Sequence, residues 1–471
     1  MSRLNRRLFL NGLAASSGLA GMTSIFAGAG HAADTTGYKA LVCVFLKGGL
    51  DHADTILPLD ADEYDALSQI RLELFNAYTN AGDGSRTLAN LLELAPDNPE
   101  VIGGRRIGLP QQLSPLKDIF DAGELAVVGG VGPLIEPTTR TTFDNNSVEL
   151  PKKLFSHNDQ QSTWMSLAAE GERFGWGGRF LDAAFPGVQT SDRPFVGINV
   201  GSADVFLSAP GTRPYNLPSG NIPLLRAVNN RNLLGFNSQS DAARVRLREA
   251  LIRQDFSSNF LLERDLAFST NAGVLNNEEF AAAADAAGSA ITTVFPETGL
   301  GRQLRTAAQA IAIRDQLGLS RQIFYATLGG FDTHANQRND LPGLQTQVAD
   351  AIAAFRTAMI ELGAWNNVTV FTASDFGRTL GDNGNGTDHG WGAHHFVAGG
   401  MVDGRKVFGE IARPDLDAQT YTSSRGRLIP SVSVEQYGAT LGTWFGLDST
   451  EINAVFPRLP AFSTGNLGFM L

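Results

Sequence analysis

The chain has 471 residues, and 37 Lys+Arg against 48 Asp+Glu leave a formal net charge of -11, which excludes a nucleic-acid binder that works by bulk positive charge. With 43% hydrophobic and 18% charged residues, it is neither disordered nor membrane-embedded, and it is long enough to bury a large core as one or two domains. Cys43 is the only cysteine, which excludes a disulfide framework and a cysteine-rich zinc site, so any metal must be held by His, Asp or Glu.

The N-terminus reads Ser2-Arg3-Leu4-Asn5-Arg6-Arg7-Leu8-Phe9-Leu10, followed by Gly, Ala, Ser and Leu up to about Ala33. Paired arginines ahead of a weakly apolar run read as a twin-arginine export signal over 1–32, with cleavage near Ala32 or Ala33. Gly12, Gly18 and Gly21 interrupt the run, which makes it too poor for a stable membrane span. The expected location is therefore periplasmic or secreted, with the twin-arginine export machinery as a partner. Such a route carries folded proteins, which suits a chain that must be loaded with a metal first.

Beyond the signal, residues 33–471 read as one α/β domain. Apolar, β-branched runs at Ala40–Leu46, Leu125–Val131, Pro194–Val200, Gln322–Leu328, Val368–Ala373 and His394–Ala398 predict strands. Segments with the 3.6-residue period at Pro115–Ala122, Gly177–Ala184, Leu304–Leu317, Leu344–Leu362 and Val434–Phe445 predict amphipathic helices. Strands separated by helices imply a mostly parallel sheet sandwiched by helices. The less regular stretch of about 201–298 reads as an inserted cap. In such sheets ligands bind at the carboxyl ends of strands, and three predicted strands run into a carboxylate there: Lys47-Gly48-Gly49-Leu50-Asp51, Gly329-Gly330-Phe331-Asp332-Thr333-His334, and Ser374-Asp375-Phe376-Gly377-Arg378.

Of the 7 histidines, His31 belongs to the signal, and the other six, His52, His157, His334, His389, His394 and His395, fall close to Gly, Asp or Ser at these strand ends. Thr387-Asp388-His389-Gly390-Trp391-Gly392-Ala393-His394-His395 combines imidazoles with glycines that let the backbone approach a metal closely. Successive side chains of an extended segment alternate, so only one of His394 and His395 can face the site, and His394 is the choice. Asp332 and His334 stand two residues apart, on one side of an extended strand end; taken alone, Asp332 could equally cap the following helix. Asp51 and Asp375 offer oxygen ligands for a divalent, even binuclear, centre, or are helix caps. Arg378 can clamp an anionic oxygen or pair with an acid, and Lys47 has the same two readings. Ser156, in Phe155-Ser156-His157-Asn158-Asp159, is the candidate nucleophile ahead of a helical pattern. Its alternative role is a helix cap, and Ser162 and Thr163 are further candidates.

Together, Gly-Gly-Leu-Asp after the first strand, the Leu125-Ala126-Val127-Val128 strand with Gly132, Phe155-Ser156-His157, Gly330-Phe331-Asp332-Thr333-His334, Asp375-Phe376-Gly377-Arg378-Thr379 and Gly384-Asn385-Gly386-Thr387-Asp388-His389-Gly390 resemble the domain-of-unknown-function 1501 family, exported bacterial proteins grouped with the alkaline phosphatase and sulfatase superfamily. That resemblance implies an alkaline phosphatase-like fold and a two-metal centre with a first-strand Asp, a Ser or Thr nucleophile, and later Asp and His ligands. Carried onto this chain, these are Asp51, Ser156, Asp332 with His334, Asp375, and His389 with His394. Phe376 stands where the superfamily usually has His, and the spacing of Asp332 and His334 departs from the usual four residues. A second metal site is thereby remodelled, drawn from His157 or His52, or missing. The expected cofactors are one or two divalent ions (zinc, manganese or calcium), and the expected activity is hydrolysis of phosphate or sulfate esters through a metal-activated hydroxyl. The alternatives are a non-catalytic periplasmic or surface binding or assembly protein and a metal-dependent mutase or transferase.

Overall fold

The run KALVCVFL forms strand β1 (Lys39–Leu46), buried at every residue after the first. Side chains alternate across a strand: Ala40, Val42, Val44 and Leu46 join the core on one side of the sheet, while Leu41, Cys43 and Phe45 join the core on the other. A run apolar on both faces fits a central strand covered by helices on either side. The computed structural model describes residues 33–188, 193–217, 249, 259–287 and 290–471. The expected export signal over 1–32 lies outside them, as does the middle of the expected cap.

Among the described residues the main sheet has nine strands. After β1 come β2 (Leu125–Gly132), β3 (Gly197–Asn199), β4 (Tyr215–Asn216), β5 (Arg321–Leu328), β6 (Val368–Ser374), β7 (Ala393–Gly399), β8 (Lys406–Gly409) and β9 (Val432–Ser433). Their order is β8-β2-β7-β6-β1-β5-β3-β4, with β9 also beside β2. All neighbours pair in parallel except β7, which is antiparallel to both β2 and β6. The mostly parallel α/β sheet expected from the alternating pattern is therefore the architecture.

One face carries α1 (Ser114–Asp121), α4 (Leu261–Ala287), α5 (Gly299–Ala312) and α6 (Gln337–Glu361); the other carries α2 (His157–Ser166), α3 (Trp176–Ala184) and α7 (Val434–Phe445). Helix α7 has the bounds its periodicity predicts, because its ends are chemically marked. Ser433 and Gln436 form a reciprocal capping box, and Gly446 ends the helix at φ +115°. Helices α5 and α6 begin earlier than predicted. The first turn of α6, Gln337-Arg338-Asn339-Asp340, is polar and escapes apolar periodicity, while α5 starts at its Thr298 cap, where glycines flank Leu300 and break the apolar stripe.

Parts of the stretch read as a cap pack on the body of the sheet. Tyr215–Asn216 pairs in parallel with Ile198–Asn199, and Phe280 and Ala283 of α4 are buried in the same core as β1. No helix among the described residues is long and apolar enough to cross a membrane.

Candidate metal centre

Strands β1, β5 and β6 pair so that Leu46 lies level with both Leu328 and Ser374. The three following loops therefore leave on one rim, as the carboxyl-end rule requires. Gly48, at φ +120°, lets the first loop touch the second: a Cβ there would stand 2.2 Å from the Asp332 backbone nitrogen. Gly386 does the same for the loop ahead of β7, since its Cβ would stand 2.1 Å from the Thr333 carbonyl oxygen. These close approaches bring Asp332, His334 and His389 together. The fourth member, His157, is the first residue of α2.

Asp332 is the hub. Its Oδ1 lies 3.3 Å from His334 Nε2 and 3.3 Å from His389 Nε2, and its Oδ2 lies 3.4 Å from His157 Nε2. The other ring nitrogen of each histidine is held from behind. His389 Nδ1 lies 2.8 Å from the Phe155 carbonyl oxygen, His157 Nδ1 2.7 Å from Asp375 Oδ2, and His334 Nδ1 3.2 Å from Asp388 Oδ1. A carbonyl or carboxylate oxygen only accepts, so each Nδ1 donates, and each neutral ring keeps its Nε2 lone pair for the cluster. Yet His334 Nε2 and His389 Nε2 stand 2.8 Å apart. Two ring nitrogens at that distance are satisfied either by one N–H···N hydrogen bond, with one ring protonated, or by a cation among them.

The donor set fits a divalent ion. Ligand atoms at about 2.0–2.1 Å around a tetrahedral ion stand about 3.3 Å from one another, which matches the two separations around Asp332 Oδ1 but not the shorter 2.8 Å between His334 Nε2 and His389 Nε2. Donor atoms of His157, Asp332 and His389 all lie within 4.8 Å of one another, and His157 Nε2 is buried without a hydrogen bond. Histidines oriented by an outer carboxylate or carbonyl are the usual support of such ligands. The side chains of Asp332 and His334 are 47% and 43% exposed, so the centre opens to solvent.

Electrostatics favours the neutral ring at two of the three histidines. Burial holds His389 below the ordinary histidine range, aided by the charges around it, and burial followed by the Arg378 charge does so for His334. His157 goes the other way, raised by its hydrogen bond to Asp375. Burial pushes the Asp332 carboxyl up, but Arg378 outweighs it and the net shift is downward.

The remaining expected site residues go elsewhere. Arg378 is fully buried and its donors are taken: Nη1 by Asp332 Oδ1 at 2.8 Å and the Gly48 carbonyl at 2.9 Å, Nε by Thr387 Oγ1 at 3.3 Å, and Nη2 by the Thr387 carbonyl. It anchors Asp332. Asp375 is buried behind His157; its Oδ2 accepts from His157 and from Gln161 Nε2 at 2.8 Å, and its Oδ1 makes no hydrogen bond. Ser156 holds the N-cap position of α2, but its hydroxyl donates to Asp159 Oδ2 at 2.9 Å. Asp51 is buried one layer below, with both oxygens held by Arg71 at 2.8 Å. His394 sits beside a bulge in β7, accepts from the Gly130 backbone N–H at 3.0 Å and packs against the ring of His52. His395 lies 3.1 Å from Thr372 Oγ1 and against Trp164. Neither adjoining histidine enters the cluster. Lys47 pairs with Asp204 at 2.7 Å.

Sequence reading kept His157 only as a fallback and gave no role to Asp388, although both stand in the quoted motifs. Arg71 had no signal at all, since nothing local ties it to a loop twenty residues away.

Fold and cluster together define an α/β protein with a candidate metal centre on the carboxyl rim of its sheet. The chain belongs to the family described as "Protein of unknown function (DUF1501)", which matches residues 38–432. No curated protein matches it. Among solved structures it is similar to "Ps i-CgsB in complex with k-i-k-neocarrahexaose" at 10% identity and TM-score 0.36, covering 91% of this chain and 77% of that one. It is also similar to "the lipoteichoic acid synthase LtaP from Listeria monocytogenes" at 8% identity and TM-score 0.27, covering 83% and 74%. Likenesses this distant carry no functional argument.

Proposed function

We propose that this chain is an exported, metal-dependent hydrolase of phosphate or sulfate esters with a single divalent ion in the centre formed by His157, Asp332, His334 and His389. The observation that carries the reading is the convergence of three imidazole Nε2 atoms, each fixed from behind through Nδ1, on one half-exposed carboxylate. Three nitrogens and one carboxylate suit zinc or manganese better than calcium, which prefers oxygen ligands throughout. A divalent ion bound there supplies Lewis acidity and positive charge toward an anionic ester oxygen.

The chain's own residues do the positioning. Arg378 fixes the angle of Asp332, while Asp375, Asp388 and the Phe155 carbonyl fix the three rings. The open side at Asp332 and His334 admits substrate and water. Because the Ser156 hydroxyl is engaged by Asp159, the reading assigns attack to water. That same engagement favours the second reading, a non-catalytic binding or assembly protein that retains a metal.

Elemental analysis of the folded, exported protein, paired with a screen of aryl phosphate, phosphodiester and aryl sulfate substrates, tests the reading. One tightly held zinc or manganese with chelator-sensitive turnover, both lost in His389→Ala, is expected. Metal without turnover on any ester class favours the binding protein, and no metal after reconstitution sinks the centre. Export is tested by Arg6→Lys/Arg7→Lys, which is expected to leave uncleaved precursor in the cytoplasm.

A further inference from the structure

We propose that Arg71 is a resident cation of this protein, a guanidinium lodged in an all-oxygen cage that keeps a second divalent ion away from Asp51. This rests on the one-ion reading of the rim cluster and specifies why it stops at one.

Arg71 stands at the junction of the helices Ala61–Ile70 and Leu72–Asn80 and has no exposed surface. Its guanidinium meets four oxygens, each at 2.8 Å: Asp51 Oδ2 from Nη1, Asp51 Oδ1 and the Thr379 carbonyl from Nη2, and the Leu380 carbonyl from Nε. Two carboxylate oxygens and two backbone carbonyls are the ligand types that hard divalent ions take. Here a planar, permanently charged group fills the place and satisfies the carboxylate bidentately.

Asp51 has no coordinating capacity left. Besides Arg71, its Oδ1 accepts from the Ala53 and Asp54 backbone N–H groups at 3.1 and 3.3 Å, and its Oδ2 accepts from Gln337 Nε2 at 2.6 Å. The neighbouring acid is closed in the same way. Asp54 pairs with the buried Arg86, whose other donors reach Gln345 Oε1 at 2.7 Å and Gln112 Oε1 at 2.9 Å. Two buried carboxylates and two buried guanidiniums leave no charge for a further ion to neutralise, and a buried charge without compensation is costly.

The cage is nonetheless wired to the rim. Gln337 Oε1 accepts from Thr387 Oγ1 at 2.7 Å and Thr333 Oγ1 at 3.1 Å, and Arg378 spans from Thr387 to Asp332. Arg71 thereby sets the position of the Thr387–His389 strand from below without touching an ion. A chelator cannot remove it.

The test measures bound metal by elemental analysis and thermal shift on stripped protein titrated with Mn²⁺ or Ca²⁺. Wild type is expected to take one equivalent and His389→Ala none; a residual equivalent in His389→Ala would reveal a second native site and overturn the proposal. Arg71→Ala is expected to melt lower than wild type, to gain one equivalent beyond the wild-type count, and to recover several degrees on adding the ion. Both gains should vanish in Arg71→Ala/Asp51→Asn. An Arg71→Ala protein that folds but gains neither ion nor stability would also overturn it. If wild type takes no metal, the rim reading fails separately, while the contrast between Arg71→Ala and the double variant still decides the role of Arg71.

Discussion

Asp332 and Asp51 both follow a parallel strand of one sheet, and they have opposite surroundings. Asp332 is half exposed and faces three imidazole nitrogens, with Arg378 supplying positive charge. Asp51 is buried and saturated by a guanidinium, an amide and two backbone N–H groups. The difference teaches that a carboxylate at a strand end is defined by which cation meets it. One acid is set among imidazole nitrogens at the solvent edge, and the other is locked against a guanidinium inside the fold.

The largest expected effect breaks the filled side. Arg71→Ala leaves Asp51 buried and unpaired, and removing one member of such a pair costs about 3–5 kcal/mol, read as a lowered urea midpoint. His389→Ala on the open side should shift the apo midpoint by less than about 1 kcal/mol while abolishing metal binding. Equal destabilisation by the two variants would erase the distinction.

The next effect concerns the histidines that stayed out of the cluster. Burial drives His52 down to about 4 and His395 to about 3, and drives His394 well below its usual value. Their folded values lie below the unfolded one near 6.5, so the stability they contribute is complete above that value and is lost as pH falls toward the folded values. His52 and His395 should each cost about 2 kcal/mol at pH 5 relative to pH 7. A denaturant midpoint unchanged between those two pH values would contradict the buried neutral assignment.

A smaller change sharpens the open side. Asp388→Asn and Asp375→Asn remove charged acceptors behind His334 and His157, and such losses weaken metal affinity about 10–100-fold, measurable by competition with a chelating dye. Least of all should come from Ser156→Ala. Its hydroxyl serves Asp159 and caps no backbone N–H, so stability should move by no more than about 0.5 kcal/mol and turnover should persist. A complete loss of turnover would restore Ser156 as nucleophile.

The sheet was legible because its signal is local. The runs beginning near Ala40, Leu125, Gln322, Val368 and His394 became strands with bounds shifted by one residue at most at either end, since a strand buried on both faces writes its burial as unbroken apolar sequence. Asp332, His334 and His389 were legible because glycines mark where their loops must touch. Asp51 and His394 were not, because their fate depends on partners far along the chain. Arg71 arrives from a helix junction, and a bulge in β7 turns His394 toward Gly130 and His52. His157 needed the opposite knowledge, namely that Asp375 would stand behind it to aim its ring.

The reversed direction of β7 has a consequence for how the rim is assembled. Neighbouring strands contribute the segments that follow them, whereas β7 contributes the segment that precedes it, and so the ribbon carrying Asp388 and His389 reaches the same rim. The segment leaving β7 goes to the opposite edge, where the Gly399 N–H donates to the Glu124 carbonyl at 3.0 Å. Had β7 run with its neighbours, this stretch would have been delivered to the wrong end of the molecule. One strand's polarity therefore brings the Asp388–His389 ribbon to the rim where the loops after β1, β5 and β6 meet the start of α2.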